Sequence, residues 1–143
     1  MSQDDLDSMV AERALEQVAA DPETARIELE QARLHVESAA EIADRDPVAA
    51  FSVGYDAIRK AIAAHMRAGG YRLTRGAGHH ARTGSYARAA LDEEQIDEHL
   101  EAFDELRQLR NQGEYDALLI DVGDVADVLA HAEAIIRAVE RSL

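Results

Sequence analysis

Two Asp-Pro pairs constrain the fold of this chain more than any other feature, because each lies directly between segments with a helical pattern. Asp21-Pro22 and Asp46-Pro47 each place an N-cap side chain before a proline at the first helical position, where no amide donor is needed. On both sides of each pair, apolar residues recur every three or four positions, as on one face of an α-helix. The pairs therefore predict breaks between packed helices rather than linkers between domains.

The same periodicity predicts helices along the whole chain. Six segments follow it, at approximately residues 3–20, 22–45, 47–68, 79–90, 92–113 and 121–143. Glycines at Gly69 and Gly70 end the third segment, and Gly113 is placed to end the fifth. No alternating run typical of a β-strand occurs. We expect an all-α fold, a single domain over residues 1–143 built as a bundle of five or six helices, in which residues 1–20 could be accessory.

Composition supports a helical protein and indicates its cellular location. Hydrophobic residues make up 47% of the chain and aromatic residues 4%, so the core must be built from Ala, Leu, Ile and Val. The absence of cysteine excludes disulfides and thiolate chemistry. The N-terminus is acidic, unlike a signal peptide, and no apolar run approaches the roughly 20 residues that span a bilayer. We expect a soluble cytoplasmic protein without membrane contact.

The charge distribution argues against broad binding to DNA or RNA but allows a local anion site. The formal net charge is −14, whereas sequence-independent binding to nucleic acid needs a basic surface. The basic residues nevertheless concentrate in one stretch, at Arg67, Arg72, Arg75, Arg82 and Arg88. This stretch predicts either a site for phosphate or for an acidic partner, or simply a solvated loop.

The histidines and glycines of the same region do not predict a metal or a cofactor. His79 and His80 are adjacent, so their side chains would diverge on a helix and could not easily share one ion. Gly76 and Gly78 do not form a nucleotide-binding P-loop, because no Lys-Ser or Lys-Thr follows them. Glu98, His99 and Glu101 fall at surface positions of their helix. We expect no metal site.

Two polar residues on the apolar stripe of the third helix are expected to serve the fold. A histidine such as His65, alone on an apolar face, is usually a hydrogen-bonded core residue. Tyr55 on the same face is expected to bury its ring and keep its hydroxyl at the rim of the core.

The least ordinary stretch is residues 107–116, at the end of the fifth helix. Arg107, Arg110 and Asn111 are three and four positions apart, so a helix places them on one edge. That edge continues the apolar stripe of Ile96, Leu100 and Phe103. Two guanidinium groups on one face can hold a phosphate, with Asn111 orienting it. Alternatively, the arginines complement the C-terminal end of the helix dipole and pair with nearby acids such as Glu114.

Three short motifs resemble the HEPN superfamily, the small helical bundles of prokaryotic defence and toxin–antitoxin systems. The segment at residues 49–57 is similar to the family's helix with a Tyr-x-Ala motif, here Tyr55-Asp-Ala57. Residues 70–80 resemble its variable basic loop with a histidine. Arg110-x-x-Gly113-Glu114-Tyr115 is similar to the Arg-x-x-Ala-Asp-Tyr signature of one branch, with Gly for Ala and Glu for Asp. The resemblance extends over the chain from about Leu29 to the C-terminus.

The resemblance implies a homodimer. The catalytic members of the family are metal-independent endoribonucleases with an Arg-x4–6-His motif. Arg110 and Asn111 match its beginning, but position 115 holds a tyrosine where the motif would have its histidine. Tyrosine, with an unperturbed pKa of about 10, is a poor general base at neutral pH, so His79 or His80 would have to supply the proton transfer. In family members paired with a minimal nucleotidyltransferase antitoxin, a nearby tyrosine is modified with AMP, and Tyr115 matches that position loosely.

Two functions follow from the resemblance. In the first, the chain is the HEPN component of a two-component toxin–antitoxin or defence module and binds RNA or nucleotide phosphate, with Arg110, Asn111 and Tyr115 as the catalytic candidates. Its phosphate-binding candidates are Arg75, His79, His80, Arg82, Arg107 and Arg110. In the second, it is a non-catalytic helical partner or substrate-binding subunit of a minimal nucleotidyltransferase. The missing histidine favours the second, and the paired arginines favour the first.

Overall fold

A computed structural model describes residues 2–76, 78–115 and 120–143 of the chain. These residues form six α-helices and one two-stranded sheet. For residues 79, 80, 93 and 109–115 this description covers the backbone alone. The elements are α1 (Gln3–Ala11), β1 (Leu15–Gln17), α2 (Pro22–Ile42), α3 (Pro47–Gly69), β2 (Tyr71–Leu73), α4 (His79–Ala90), a 3₁₀ turn (Asp92–Glu94), α5 (Asp97–Tyr115) and α6 (Val122–Ser142). The expected all-α bundle is confirmed.

The helix starts predicted from the Asp-Pro pairs are confirmed in atomic detail. The backbone N–H of Thr24 donates to Asp21 Oδ1 at 3.0 Å, and the N–H of Ala49 donates to Asp46 Oδ1 at 3.1 Å. Both prolines occupy the first helical turn, where they cost no hydrogen bond. At the start of α6, Asp121 and the residue three positions on form a reciprocal capping box. Local side-chain chemistry therefore defines where these helices begin.

The first predicted helix is too long, and the expectation of no strand is wrong. Helix α1 ends at Ala11, and Arg13 adopts a left-handed conformation with φ 62° that turns the chain away from the helix. The next residues form β1, which pairs antiparallel with β2 so that Leu15 faces Leu73 and Gln17 faces Tyr71. The strands are three residues long, too short for alternation to be recognised, and distant pairing rather than local pattern determines them.

The second half of the chain departs from prediction at two helix ends. Residues 92–94 form only a 3₁₀ turn, which Gln95 ends in a left-handed conformation with φ 56°, so α5 begins at Asp97 rather than at Asp92. Helix α5 then continues through Gly113 to Tyr115, so Gly113 does not end it. A single glycine weakens a helix by only about 1 kcal/mol, which tertiary packing can offset.

Helix α3 is central to the hydrophobic core, to which all six helices contribute buried side chains. Gly54 of α3 faces Val128 and Leu129, where an added Cβ would lie 3.0 Å and 3.2 Å from their side chains, so the glycine permits close packing of α3 on α6. Tyr55 is fully buried, contrary to the expected rim position, and stacks on Phe103 of α5 with ring centroids 5.3 Å apart. Within the described ranges, no helix combines the length and the apolar composition needed to cross a membrane.

Candidate functional site: an arginine cavity and the C-terminal end of α5

The small sheet positions a loop beside the C-terminal end of α3. Gly70 takes up a left-handed conformation with φ 80° and turns the chain from α3 into β2. Its carbonyl accepts a hydrogen bond from Val18 N–H at 2.8 Å, and the carbonyl of Arg67 accepts one from Asp21 N–H at 2.9 Å. These bonds hold residues 18–21, the β1–α2 loop, against α3.

The space between this loop, α3, β2 and α4 is a cavity of about 430 Å³. We call it the arginine cavity, because Arg59, Arg67 and Arg72 line it. The other lining residues are Val18, Ala19, Asp21, Ala63, Met66, Tyr71, Leu73 and Thr83. Its size lies within the range of about 300–1,000 Å³ found for small-ligand sites, which combine an apolar lining with a few polar groups.

Each arginine of the cavity is oriented by a carboxylate that is not part of the lining. Arg72 Nε donates to Glu16 Oε1 at 2.8 Å, and Arg67 Nε donates to Glu28. Arg59 pairs with Asp56 one turn earlier on α3, at 3.2 Å. The hydrogen bond from Arg72 lowers the pKa of Glu16, so the pair stays ionised at neutral pH. The acids therefore restrict the arginine side chains that line the cavity.

The basic stretch seen in the sequence is divided among separate positions in the structure. Arg67 and Arg72 line the arginine cavity, but Arg88 lies elsewhere and binds Asp104 of α5 at 2.7 Å. Arg75 is exposed in the loop after β2. Clustering in sequence thus identified two cavity residues, and it missed Arg59, which comes from the middle of α3.

Arg82 is used to hold the loop before α4. Its Nη1 donates to Thr74 Oγ1 at 2.7 Å, and its Nη2 donates to the carbonyls of Thr74 at 3.0 Å and Gly76 at 3.3 Å. The Thr74 hydroxyl donates in turn to the Arg13 carbonyl at 2.6 Å. A phosphate-binding role for Arg82 stays a prediction, and a phosphate would have to compete with these bonds.

The end of α5 carries the residues singled out in the sequence. Helix α4 packs against α5: Arg88 pairs with Asp104, and an added Cβ at Gly84 would lie 3.2 Å from Asp104 and 3.4 Å from Phe103. Arg107 lies one turn beyond Asp104 on α5. It is partly buried, and its buried Nε has no hydrogen-bond partner among the described residues.

The remaining candidates follow on the same helical backbones. Arg110, Asn111 and Tyr115 lie on the last turns of α5, and His79 and His80 lie on the first turn of α4. Their side chains are outside the described part of the structure.

A buried histidine and tyrosine connect α3 with α4. His65 Nδ1 lies 2.7 Å from Tyr86 Oη, and both side chains are buried, which confirms His65 as a hydrogen-bonded core residue. Burial lowers the pKa of His65 and raises the pKa of Tyr86, so the imidazole is neutral and the phenol keeps its proton. The tyrosine hydroxyl can therefore donate to Nδ1. Nothing in this pair requires a substrate.

A second histidine pair lies between α5 and α6. His99 Nδ1 is 2.9 Å from His131 Nδ1, so one ring must donate and the other accept. His99 is thus half-buried, not at the surface position expected from the pattern. Among the described residues, no group of three or more His, Asp or Glu side chains is placed to hold a metal ion. The pair functions as a contact between helices.

These histidines predict loss of stability in mild acid. The pKa values of His65 and His131 are lowered, first by burial and for His131 also by His99, so the folded state binds fewer protons than the unfolded state. Their contribution is complete above the unfolded pKa of about 6.5 and is lost as the pH falls below it. We expect the melting temperature to fall between pH 7.5 and 5.5, before the carboxylates titrate.

The matched variant for this measurement is His65→Gln, which can accept the Tyr86 bond but cannot titrate. It should have a flatter dependence of melting temperature on pH than the wild type. Equal slopes for the two proteins would contradict the assignment to His65.

Comparison with protein-family models, with curated proteins and with solved structures gives no match for this chain. The HEPN resemblance therefore remains a prediction from the three sequence motifs.

Proposed function

We propose that this chain is the HEPN-type component of a two-component toxin–antitoxin or defence module and binds phosphate groups of RNA at the C-terminal end of α5. The observation that carries the proposal is the continuity of α5 through Tyr115, which places Arg107 and Arg110 on successive turns of one helix. A helix ending before Arg110 would have separated them.

Burial and charge support this position for the site. Arg107 lies partly inside the protein, where a guanidinium interacts more strongly with an anion than it does in water. Its buried Nε lacks a partner among the described residues, and buried polar atoms usually have one. A phosphate oxygen would supply that bond.

The chemistry at such a site would depend on three residues. Arg110 would bind the phosphate and stabilise its developing charge, and Asn111 would orient it. Tyr115 would not serve as the general base at neutral pH, so cleavage would need His79 or His80 of α4. Catalytic HEPN proteins act as homodimers, and we include a homodimer in the proposal.

Arg110→Ala is expected to weaken RNA binding and to abolish any RNA cleavage. Removing a charge-assisted bond to phosphate should weaken binding by at least about tenfold, and the dependence of affinity on salt should become shallower by the contribution of one phosphate contact. The measurement is fluorescence anisotropy with a short labelled RNA over a salt series in EDTA, with cleavage followed on a gel.

Arg137→Ala is the matched control, because Arg137 is an exposed arginine on α6 that pairs only with Glu133 of its own helix among the described residues. It should leave affinity and salt dependence unchanged. The proposal fails if the wild type neither binds nor cleaves RNA at low salt, or if both variants lose affinity equally.

A second function, that of a non-catalytic partner of a minimal nucleotidyltransferase, is favoured by the Arg82 contacts. There a basic residue of the predicted site binds loop carbonyls and so serves the fold. Under this alternative, Arg110→Ala lowers the free energy of unfolding by about 1–3 kcal/mol without affecting any RNA interaction. Urea denaturation of the same variant separates the two functions.

A further inference from the structure

We propose that the arginine cavity is a binding site for a small organic phosphate, meaning a phosphate group attached to a compact apolar body. The cavity lies on the face of α4 that carries Thr83, whereas Gly84 and Arg88 face α5. It is therefore separate from the site of the proposed function, and the inference does not depend on that function.

The lining of the cavity holds more arginines than acidic residues, and the carboxylates that pair with these arginines lie outside it. Three arginines and a single aspartate line it, while the whole sequence has a formal charge of −14. The aspartate, Asp21, caps α2 by accepting from Thr24 N–H, and hydrogen bonds from the Thr24 side chain and backbone, together with the nearby Arg67, lower its pKa. The Asp21 carboxylate is thus ionised and bound to the first turn of α2. An anion entering the cavity would meet mainly guanidinium groups.

Arg67 and Arg72 have donors available for a ligand. Within the described residues, the hydrogen bonds of Arg67 and Arg72 go through Nε to Glu28 and Glu16. Their side chains are 49% and 65% exposed, so the terminal Nη groups can be reached from solvent. A guanidinium held at Nε presents a planar pair of N–H donors, which matches two oxygens of a phosphate better than a lysine ammonium would.

The remaining lining favours an organic phosphate over the free ion. Ala63, Met66 and Leu73 form an apolar part of the lining beside the arginines, and the Tyr71 ring is partly buried there. A volume of about 430 Å³ is much larger than a phosphate ion needs. Apolar contact adds roughly 25 cal/mol for each Å² removed from water, so a ligand with an apolar body gains affinity that inorganic phosphate cannot.

Phenyl phosphate is a suitable probe, with inorganic phosphate and phenol as its two halves. By isothermal titration calorimetry, phenyl phosphate should bind the wild type at one site, and more tightly than either half. Arg72→Ala should weaken this binding by about tenfold, the effect of one charge-assisted hydrogen bond. Arg137→Ala, remote on α6, should leave it unchanged.

Glu16→Gln gives a test that misfolding cannot imitate. It removes a negative charge beside Arg72 while keeping a hydrogen-bond acceptor, so phenyl phosphate should bind severalfold more tightly. Arg110→Ala should not change this affinity, which separates failure of the cavity site from failure of the proposed RNA site.

Three results would overturn the inference. These are no saturable binding of phenyl phosphate at millimolar concentration, equal weakening by Arg72→Ala and Arg137→Ala, and binding of phenol as tight as that of phenyl phosphate.

Discussion

Gly70→Ala should lower the free energy of unfolding by about 2–5 kcal/mol, one of the two largest effects that we expect in this protein. The glycine has φ 80°, a conformation that costs an L-residue roughly 1–2 kcal/mol. In addition, an added Cβ would lie 2.7 Å from the carbonyl oxygen of Val18. The obstructing atom belongs to the backbone, so the β1–α2 loop itself would have to move.

Movement of that loop has a second consequence. The Val18 N–H donates to the Gly70 carbonyl at 2.8 Å, and this bond helps hold the loop that forms one wall of the arginine cavity. Gly70→Ala should therefore weaken phenyl phosphate binding as well as stability, even where the protein remains folded. Urea denaturation followed by circular dichroism measures the first effect, and calorimetry at low temperature measures the second.

Gly78→Ala separates the two causes of the instability. Gly78 has φ 79°, nearly identical to that of Gly70, but no heavy atom lies within 4 Å of its added Cβ. This variant has only the cost of the left-handed conformation, about 1–2 kcal/mol. Equal losses of stability in the two variants would show that the contact with Val18 contributes nothing.

The success of sequence reasoning followed how local each feature is. The starts of α2, α3 and α6 were predictable, because a capping aspartate binds an amide only three residues away. The strands were not, because Leu15 pairs with Leu73 and each strand alone is too short to show a pattern. The end of α1 at Ala11 was missed for the same reason, since the apolar spacing continues through the strand.

The candidate sites divide in the same way. Arg107 and Arg110 could be recognised, because three positions on one helix define their relation. The arginine cavity could not, because the pairing of β1 with β2 brings Arg72 beside Arg59 and the β1–α2 loop. His65 was predicted to have a hydrogen bond, but its partner Tyr86 lies 21 residues away in the chain and has no local signal.

Phe103→Ala is the second substitution with a large expected effect, about 3–5 kcal/mol of lost stability. The Phe103 side chain is fully buried, and its ring stacks on Tyr55 with an angle of 5° between the planes. It also lies against Gly84, so it joins α5 to both α3 and α4. Alanine would leave a cavity at the junction of three helices.

The loss should concentrate in α5, because Phe103 connects that helix to its neighbours. Hydrogen exchange of α5 amides should accelerate more than exchange of α2 amides, because Phe103 packs against α3 and α4. RNA affinity should also fall, since Arg107 lies one turn beyond Phe103 and depends on the docking of α5. Phe103→Leu keeps most of the apolar volume and loses mainly the stacking, worth about 0.5–1.5 kcal/mol. If leucine and alanine cost the same, or if exchange accelerates uniformly over the chain, Phe103 does not specifically hold the end of α5 against α4.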